Sequence, residues 1–200
     1  MSLKSKIYFS PLFYIIYIIS RLRAAFGAKC LVYGYYDKTN KSILKRCRIA
    51  STAIITDADK LVIRDNVWVN HYARIDAAGG VTIGEGCQIG YSACILSHST
   101  HNSIRLMGFS YMEFNPDKRL GYISKHTSIG DYTFIGGGSF IMPGVKIGKG
   151  CVIGVNSVVT KDIPDYSIAF GSPAKIIGST RDIDQKFQNH PDFKQYYFES

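Results

Sequence analysis

Residues 123–159 read ISKHTSIGDYTFIGGGSFIMPGVKIGKGCVIGVNSVV, and an aliphatic residue recurs there at every sixth position. These positions are Ile123, Ile129, Ile135, Ile141, Ile147, Ile153 and Val159. A period of six matches neither the 3.6-residue repeat of an α-helix nor the two-residue alternation of a simple β-strand. Self-similarity in hexapeptide units is typical of a β-helix. The stretch therefore predicts an all-β solenoid built from short strands.

The same spacing runs through the N-terminal half of the chain. Its aliphatic positions are Ile43, Ile49, Ile55, Ile63, Val69, Ile75, Ile83, Ile89 and Ile95. The residue two places before each aliphatic is usually small, which suits an inward position between larger side chains. The residue that follows is often glycine, which we interpret as a requirement of the corner turns. Cys87 and Cys151 occupy the small position, so we expect them to pack in the core and to have no chemical role.

The irregular steps in the repeat indicate where a loop leaves the solenoid. If three hexapeptides form one coil of triangular cross-section, the eight-residue steps Ile55–Ile63 and Ile75–Ile83 fall at the same corner. The next step at that corner, Ile95–Ile123, is 28 residues long and predicts one long loop over residues 97–122. Long loops on a rigid scaffold commonly carry function. His98 and His101 lie at the root of this loop and are candidates for chemistry.

The overall composition limits the classes of partner. Lys and Arg number 24 against 15 Asp and Glu, a formal net charge of +9, which suits an anionic membrane, a phosphate-bearing ligand or nucleic acid. The cations form no dense block with interleaved aromatics, so we expect no nucleic-acid binding. The five cysteines form no CxxC pair, which argues against a disulfide framework or a zinc knuckle and favours a reducing, cytoplasmic compartment.

An apolar segment near the N-terminus, Ile7–Ile19, reads IYFSPLFYIIYII and is flanked on both sides by cations. It is shorter than the ~20 apolar residues that a membrane-spanning helix needs. No small-residue cleavage site follows, as a signal peptide would require. We expect an apolar helix that docks on the domain or on a neighbouring subunit, with contact at a membrane interface as the alternative.

The closing stretch GVNSVVTKDIPDYSIAFGSPAKIIG, residues 154–178, together with the hexapeptides and the loop that follows a histidine, resembles the hexapeptide-repeat acyltransferases. The most similar branch contains the maltose, galactoside and capsule O-acetyltransferases. The resemblance covers roughly residues 43–178. It implies a left-handed parallel β-helix that forms a homotrimer, with active sites between neighbouring subunits.

The resemblance also sets the expected domain organisation and activity. Residues 1–42 would be an N-terminal apolar helical segment and lead-in, 43–178 the left-handed β-helix with loop 97–122, and 179–200 a C-terminal helix and tail. The implied activity is transfer of an acetyl group from acetyl-CoA to a sugar hydroxyl, as in polysaccharide biosynthesis, with no metal.

Transfer of an acetyl group to a hydroxyl needs a base, and histidine supplies one near neutral pH. In the family that the chain resembles, the base is typically five residues after the last repeat aliphatic. Here His98 is at the third position and His101 at the sixth. We favour His101, because in relatives with two histidines the later one aligns with the base, and we keep His98 as the second candidate. The absence of a GxSxG motif agrees with direct transfer without an acyl-enzyme.

Other site residues follow from the resemblance. Asn70 is thirteen residues before Ile83, the spacing at which the sugar O-acetyltransferases carry an acceptor-binding asparagine, although a corner asparagine can also satisfy its own turn. The residues implied in acetyl-CoA binding are Gly137, Val155, Thr160, Lys161 and Lys175. Backbone at the first two would contact the pantetheine, while the two lysines, which otherwise would be ordinary surface residues, would contact phosphates.

Three alternatives remain. An N-acetyltransferase acting on an amino-sugar nucleotide would need the same base and cofactor. A γ-class carbonic anhydrase could use His71, His98 and His101 as zinc ligands, but its last two ligands are farther apart and it needs no long loop. A scaffold without activity would have no reason to combine histidines at the loop root with the lysines of a CoA site.

Overall fold

In the computed structural model of the chain, residues 10–37, 40–188 and 190 are described. The chain winds through three sheets, and short strands visit the sheets in rotation. Face A contains the parallel strands β2 (Ser42–Ala50), β5 (Trp68–Val69), β8 (Gln88–Ile89), β13 (Phe134–Ile135), β16 (Val152–Ile153) and β18 (Ser167–Gly171). Face B contains β3 (Ile54–Thr56), β6 (Arg74–Asp76), β9 (Cys94–Leu96), β14 (Phe140–Ile141) and β17 (Val158–Val159). Face C contains β4 (Leu61–Ile63), β7 (Val81–Ile83), β12 (Thr127–Ile129) and β15 (Lys146–Ile147).

The repeat aliphatics stack in columns inside this prism. On face C, for example, Ile83 pairs with Ile63 on one side and with Ile129 on the other. Most of these side chains are almost completely excluded from solvent and belong to one continuous hydrophobic core, while Ile49 and Ile55 are partly buried and pack against it. The predicted solenoid of parallel β-strands is therefore confirmed.

Small residues fill the inward positions between the columns, as the repeat predicts. Several of them are hydroxyl residues, and two of these donate hydrogen bonds to carbonyls of the next coil. Thr133 Oγ1 donates to Gly148 O at 2.8 Å, and Ser139 Oγ donates to Gly154 O at 2.7 Å. Buried hydroxyls are tolerated here because each has a partner.

The buried thiols are expected to be unreactive in the folded protein. Burial raises the pKa of Cys47 and of Cys87 to about 12, so neither forms the reactive thiolate near pH 8. Iodoacetamide at pH 8 should leave Cys87 unmodified until the protein is unfolded in guanidinium, and should modify the partly exposed Cys30 first. Peptide mass spectrometry measures both. Alkylation of Cys87 in the folded protein at the rate of Cys30 would contradict its assignment to the core.

The glycines that follow the aliphatics have a different role from the one expected. They do not adopt the left-handed conformation, which falls instead on corner residues such as Asn66, Ser92 and Asn156. A Cβ at Gly90 would lie 2.5 Å from the backbone nitrogen of Gly137 on the next coil. The interpretation as turn glycines was therefore wrong: the side chain is absent because adjacent coils approach too closely for one.

Two aliphatics counted in the repeat lie outside the columns. Ile43 belongs to the antiparallel part of β2 and pairs with Tyr36 of β1 (Leu31–Asp37). Ile123 belongs to β11 (Ile123–Ser124), which pairs antiparallel with β10 (His98–Ser99). Face C resumes only at Ile129, so the interruption after Ile95 is 34 residues and not 28. Ile123 precedes Ile129 by six residues only by coincidence, because β11 is a hairpin strand and not a strand of the prism.

The predicted corner of the insertions is correct. The steps from β3 to β4, from β6 to β7 and from β9 to β12 all cross from face B to face C. We call this edge of the prism the B–C edge and the one between faces A and B the A–B edge. The long insertion is partly helical: α2 covers His101–Met107, and 3-10 turns cover Gly108–Glu113 and Pro116–Lys118.

Additional elements lie at both ends of the prism. Helix α1 (Leu12–Ala25) packs on β1 at one end. At the other end β19 (Ala174–Ser179) pairs antiparallel with β18 and leads into α3 (Thr180–Gln188). The first nine residues of the N-terminal segment, and residues 189 and 191–200 of the expected tail, lie outside the described residues. No helix in the described part of the chain is long and apolar enough to cross a membrane.

Candidate functional site

A histidine–carboxylate pair lies on the B–C edge. His98, in β10, leaves the prism directly after face B, and Asp76 ends β6 on the preceding coil. The Nδ1 atom of His98 is 2.7 Å from Oδ1 of Asp76, which is buried. Because an ionised carboxylate only accepts hydrogen bonds, Nδ1 of His98 must donate. The pair therefore fixes the imidazole so that Nε2 is the basic atom, and the His98 side chain remains 30% exposed.

Neighbouring groups hold this pair in position. Ser97 Oγ donates to the backbone oxygen of Asp76 at 2.6 Å and accepts from the N–H of Gly79 at 2.8 Å. The N–H of Ala78 donates to Oδ1 of Asp76 at 3.2 Å. The ring of Tyr122 lies beside that of His98, with centroids 5.9 Å apart, and burial together with the Asp76 charge raises the pKa of Tyr122. The backbone pairing of β10 with β11 fixes the root of the insertion.

His101 has a different environment. It is the first residue of α2, it is exposed, and its Nδ1 atom is 2.7 Å from the hydroxyl of Ser99. His71 lies on the A–B edge, where its Nδ1 atom is 2.8 Å from Thr52 Oγ1. Within the described residues of the protomer, no group of three His, Cys, Asp or Glu side chains is arranged to hold a metal ion. The three histidines considered as zinc ligands are therefore not assembled in one chain.

Asn70, Gly137 and Val155 all lie on the A–B edge, with Asn70 two coils away from Gly137. Asn70 follows β5, is buried, and donates from Nδ2 to the carbonyl of Ile89 at 3.0 Å. Gly137 and Val155 occupy adjacent coils, and the N–H of Asn156 donates to Gly137 O at 2.9 Å. Val155 is 62% exposed, so its side chain is accessible to a ligand at this edge.

The lysines expected in cofactor binding lie near the C-terminal end of the prism. Thr160 and Lys161 follow β17, so they are on the B–C edge, and both are exposed. Lys175 is exposed in β19 and pairs with Phe170. The predicted site residues therefore divide between two edges. The A–B edge carries Asn70, Gly137 and Val155, with Lys175 nearby, and the B–C edge carries His98, His101, Thr160 and Lys161.

Sequence reasoning missed Asp76 as the partner of His98. The signal was present, because Asp76 directly follows the aliphatic Ile75 at the corner where the histidine leaves one coil later. Residues one coil apart at a corner stack on each other. An acid at that corner therefore predicts a contact with a histidine near the same corner.

Residues 126–161 match the family model described as bacterial transferase hexapeptide, six repeats. The chain therefore contains a hexapeptide-repeat region and is similar in sequence to O-acetyltransferases. It is 35% identical over 137 residues to the galactoside O-acetyltransferase of Escherichia coli strain K12, covering 68% of this chain and 60% of the relative. It is 38% identical over 114 residues to a candidate lipopolysaccharide biosynthesis O-acetyl transferase of the same strain, covering 56% and 57%. The chain thus spans about three fifths of the length of these curated relatives.

A solved structure is also similar to this chain. The hexapeptide-repeat-containing acetyltransferase of Vibrio cholerae O1 biovar eltor, complexed with acetyl coenzyme A, is 26% identical and gives a TM-score of 0.54. The match covers 64% of each chain. The fold of parallel coils described above is thus shared with an acetyltransferase.

Proposed function

We propose that this protein transfers an acetyl group from acetyl-CoA to a hydroxyl of a sugar in a surface polysaccharide or its precursor. The observation that carries the proposal is the His98–Asp76 pair at the root of the long insertion of a hexapeptide-repeat chain. The relatives named for galactoside and lipopolysaccharide O-acetylation support a sugar hydroxyl as acceptor.

The proposed mechanism is direct transfer with His98 as general base. Nε2 of His98 takes the proton of the acceptor hydroxyl as its oxygen attacks the thioester carbonyl, which gives a tetrahedral oxyanion. Collapse of this intermediate breaks the carbon–sulfur bond, and the imidazolium returns the proton to the leaving CoA thiolate. Asp76 stabilises the imidazolium and maintains the tautomer. The sequence pattern favoured His101, but its partner is a hydroxyl rather than a carboxylate, and the Asp76 contact supports His98.

We further propose a left-handed β-helix assembled as a homotrimer, with each active site between two subunits. The division of the site residues between two edges supports this assembly, because a neighbouring copy can bring its A–B edge to the B–C edge of the first.

The cofactor proposed for this site is acetyl-CoA, held by Gly137, Val155, Thr160, Lys161 and Lys175. Gly137 suits a pantetheine that lies against the backbone, since glycine carries no side chain to block a close approach. Two lysines at the same end of the prism suit the phosphates. A cytoplasmic location agrees with this cofactor and with five free cysteines.

Replacing Lys161 or Lys175 by glutamine is expected to raise KM for acetyl-CoA by about tenfold with little change in kcat, because a lost phosphate contact weakens binding without altering the reacting atoms. Steady-state kinetics measure both constants. Lys149→Gln is the matched control, since Lys149 is an exposed lysine between β15 and β16, on the third edge of the prism. An equal rise of KM in the control variant would show that only the overall charge matters.

The activity is tested by thiol release from acetyl-CoA in the presence of a panel of sugars, polysaccharide fragments and nucleotide-linked amino sugars. Mild alkali hydrolyses an O-acetyl ester but not an N-acetyl amide, so mass spectrometry before and after alkali identifies the acceptor atom. An alkali-labile product supports the proposal. An alkali-stable product assigns the enzyme to N-acetylation, and failure to bind acetyl-CoA would overturn acyl transfer altogether.

A further inference from the structure

Helix α1 is attached to the prism by one face only. Ser20 Oγ accepts a hydrogen bond from the N–H of Tyr33 at 3.1 Å and donates to Tyr17 O at 2.9 Å. Phe13 is buried, and a Cβ at Gly34 would lie 3.0 Å or less from the rings of Phe13 and Tyr17. The glycine in β1 thus lets the helix approach the sheet closely. The described part of α1 is a fixed element of the fold.

The opposite face of α1 is a continuous apolar surface. Leu12, Ile15, Ile19, Leu22 and Phe26 follow each other at three- and four-residue spacing and therefore form one stripe along the helix. All five are more than half exposed, and Phe26 reaches 88%. The exposed Tyr14 and Ile18 lie next to the stripe. Single exposed apolar residues are ordinary, but a contiguous patch of this kind marks a site of interaction.

Every charged residue up to Tyr36 is a cation, and the first carboxylate of the chain is that of Asp37, at the end of β1. The first 36 residues of the sequence contain five Lys and Arg and no Asp or Glu, and they contribute five of the nine net positive charges. Within the described part, Arg21 and Arg23 lie on α1 beside Leu22, and Lys29 follows the helix. An apolar stripe bordered by cations is complementary to a surface that has an apolar interior and an anionic outer layer.

We infer that α1 binds the interface of an anionic lipid bilayer, with the stripe in the acyl boundary and the cations at the headgroups. The helix has 14 residues and is about 21 Å long, so it lies in the plane of the membrane and does not span it. A second copy that docks through its own α1 is a poorer occupant. A symmetric α1–α1 contact would bring the cations of one copy against those of the other, and α1 carries no carboxylate to pair with them.

The location of α1 bears on the substrate, and this step rests on the proposed function. The strand order of face A begins with β1, against which α1 packs, and ends with β19, which carries Lys175. Asn70 follows β5, the second strand after β1 in that order. The candidate acceptor residue is thus toward the membrane end of the prism and a phosphate-binding lysine is at the far end. This arrangement suits a glycan carried on a membrane lipid.

Flotation of the full-length protein with vesicles tests the inference. Wild type should float with phosphatidylglycerol–phosphatidylcholine vesicles, and less with phosphatidylcholine alone. The double variant Ile15→Glu, Ile19→Glu should lose binding by about tenfold or more, since two charges enter the apolar face. Arg21→Gln with Arg23→Gln should remove most of the preference for anionic vesicles, on the order of tenfold. Val62→Glu, an exposed aliphatic on face C, is the matched control and should float like wild type.

Two further readouts separate the outcomes. Phe26→Trp should give a blue-shifted emission with anionic vesicles, which tests insertion without disturbing the fold. The inference is overturned if wild type floats with neither vesicle, or if the glutamate variant floats equally well. A lower molecular mass of that variant in light scattering, with no vesicle binding by wild type, assigns the face to a second copy instead. Turnover of a soluble sugar acceptor should be unchanged in the glutamate variant, so membrane binding and acetyl transfer can fail independently.

Discussion

Replacing His98 by alanine is expected to lower kcat for acetyl transfer by about 10²- to 10⁴-fold, the usual contribution of a general base. The expectation rests on the 2.7 Å contact between His98 Nδ1 and buried Asp76, which leaves Nε2 as the only ring atom free to take a proton. Binding of acetyl-CoA should remain within about twofold of wild type, because His98 supplies no cofactor contact in this scheme. Thiol-release kinetics and isothermal titration measure the two quantities.

Two companion variants separate the base from its neighbours. Asp76→Asn should lower kcat on the order of 10²-fold with little change in KM, because an amide can hold the imidazole in the wrong tautomer. His101→Ala should retain kcat within a few-fold, since His101 bonds only to Ser99 at the surface. If His101→Ala is inactive and His98→Ala is not, the base is His101, as the sequence pattern favoured, and the Asp76 pair is structural.

The repeat could be predicted from the sequence because its physical cause is local. One residue in every six is an aliphatic that points inward, and equivalent residues of successive coils stack to form each column. The period alone therefore identifies the solenoid. The corner of the long insertion followed from the two eight-residue steps. Ile43 and Ile123 were misassigned because a hairpin strand of suitable length can preserve the spacing of six while pairing antiparallel. Periodicity records spacing along the chain and not the direction of the partner strand.

The candidate site was harder to predict, because its geometry depends on stacking between coils. His98 was proposed from its position at the loop root, yet its preferred partner, Asp76, is 22 residues earlier and becomes adjacent only when the coils are stacked. The choice between two histidines three residues apart depends on that contact. The division of the candidate residues between two edges has the same origin, because a linear sequence does not say which corner each hexapeptide turn occupies.

Replacing Ile83 by alanine is expected to destabilise the fold by about 2–5 kcal/mol, the usual cost of truncating a buried isoleucine. Ile83 is fully buried in the middle of its column, between Ile63 and Ile129. The backbones of these coils are held apart at the fixed spacing of a parallel ladder, so the structure can collapse only partly around the cavity. Urea unfolding followed by circular dichroism, at one protein concentration, measures the free energy of unfolding.

Val62→Ala, on β4 of the same face, is the control for this prediction. Its side chain points outward and is 46% exposed, so the loss should stay within about 0.5 kcal/mol. If the loss of unfolding free energy depended only on the number of carbon atoms removed, Val62→Ala would cost about two thirds as much as Ile83→Ala, because it removes two carbons instead of three. A ratio near that value would mean that Ile83 is no better packed than a surface residue. A much larger cost at Ile83 would instead mean that the inner columns provide most of the stability of the prism. Those columns also keep the coils stacked so that His98 lies next to Asp76.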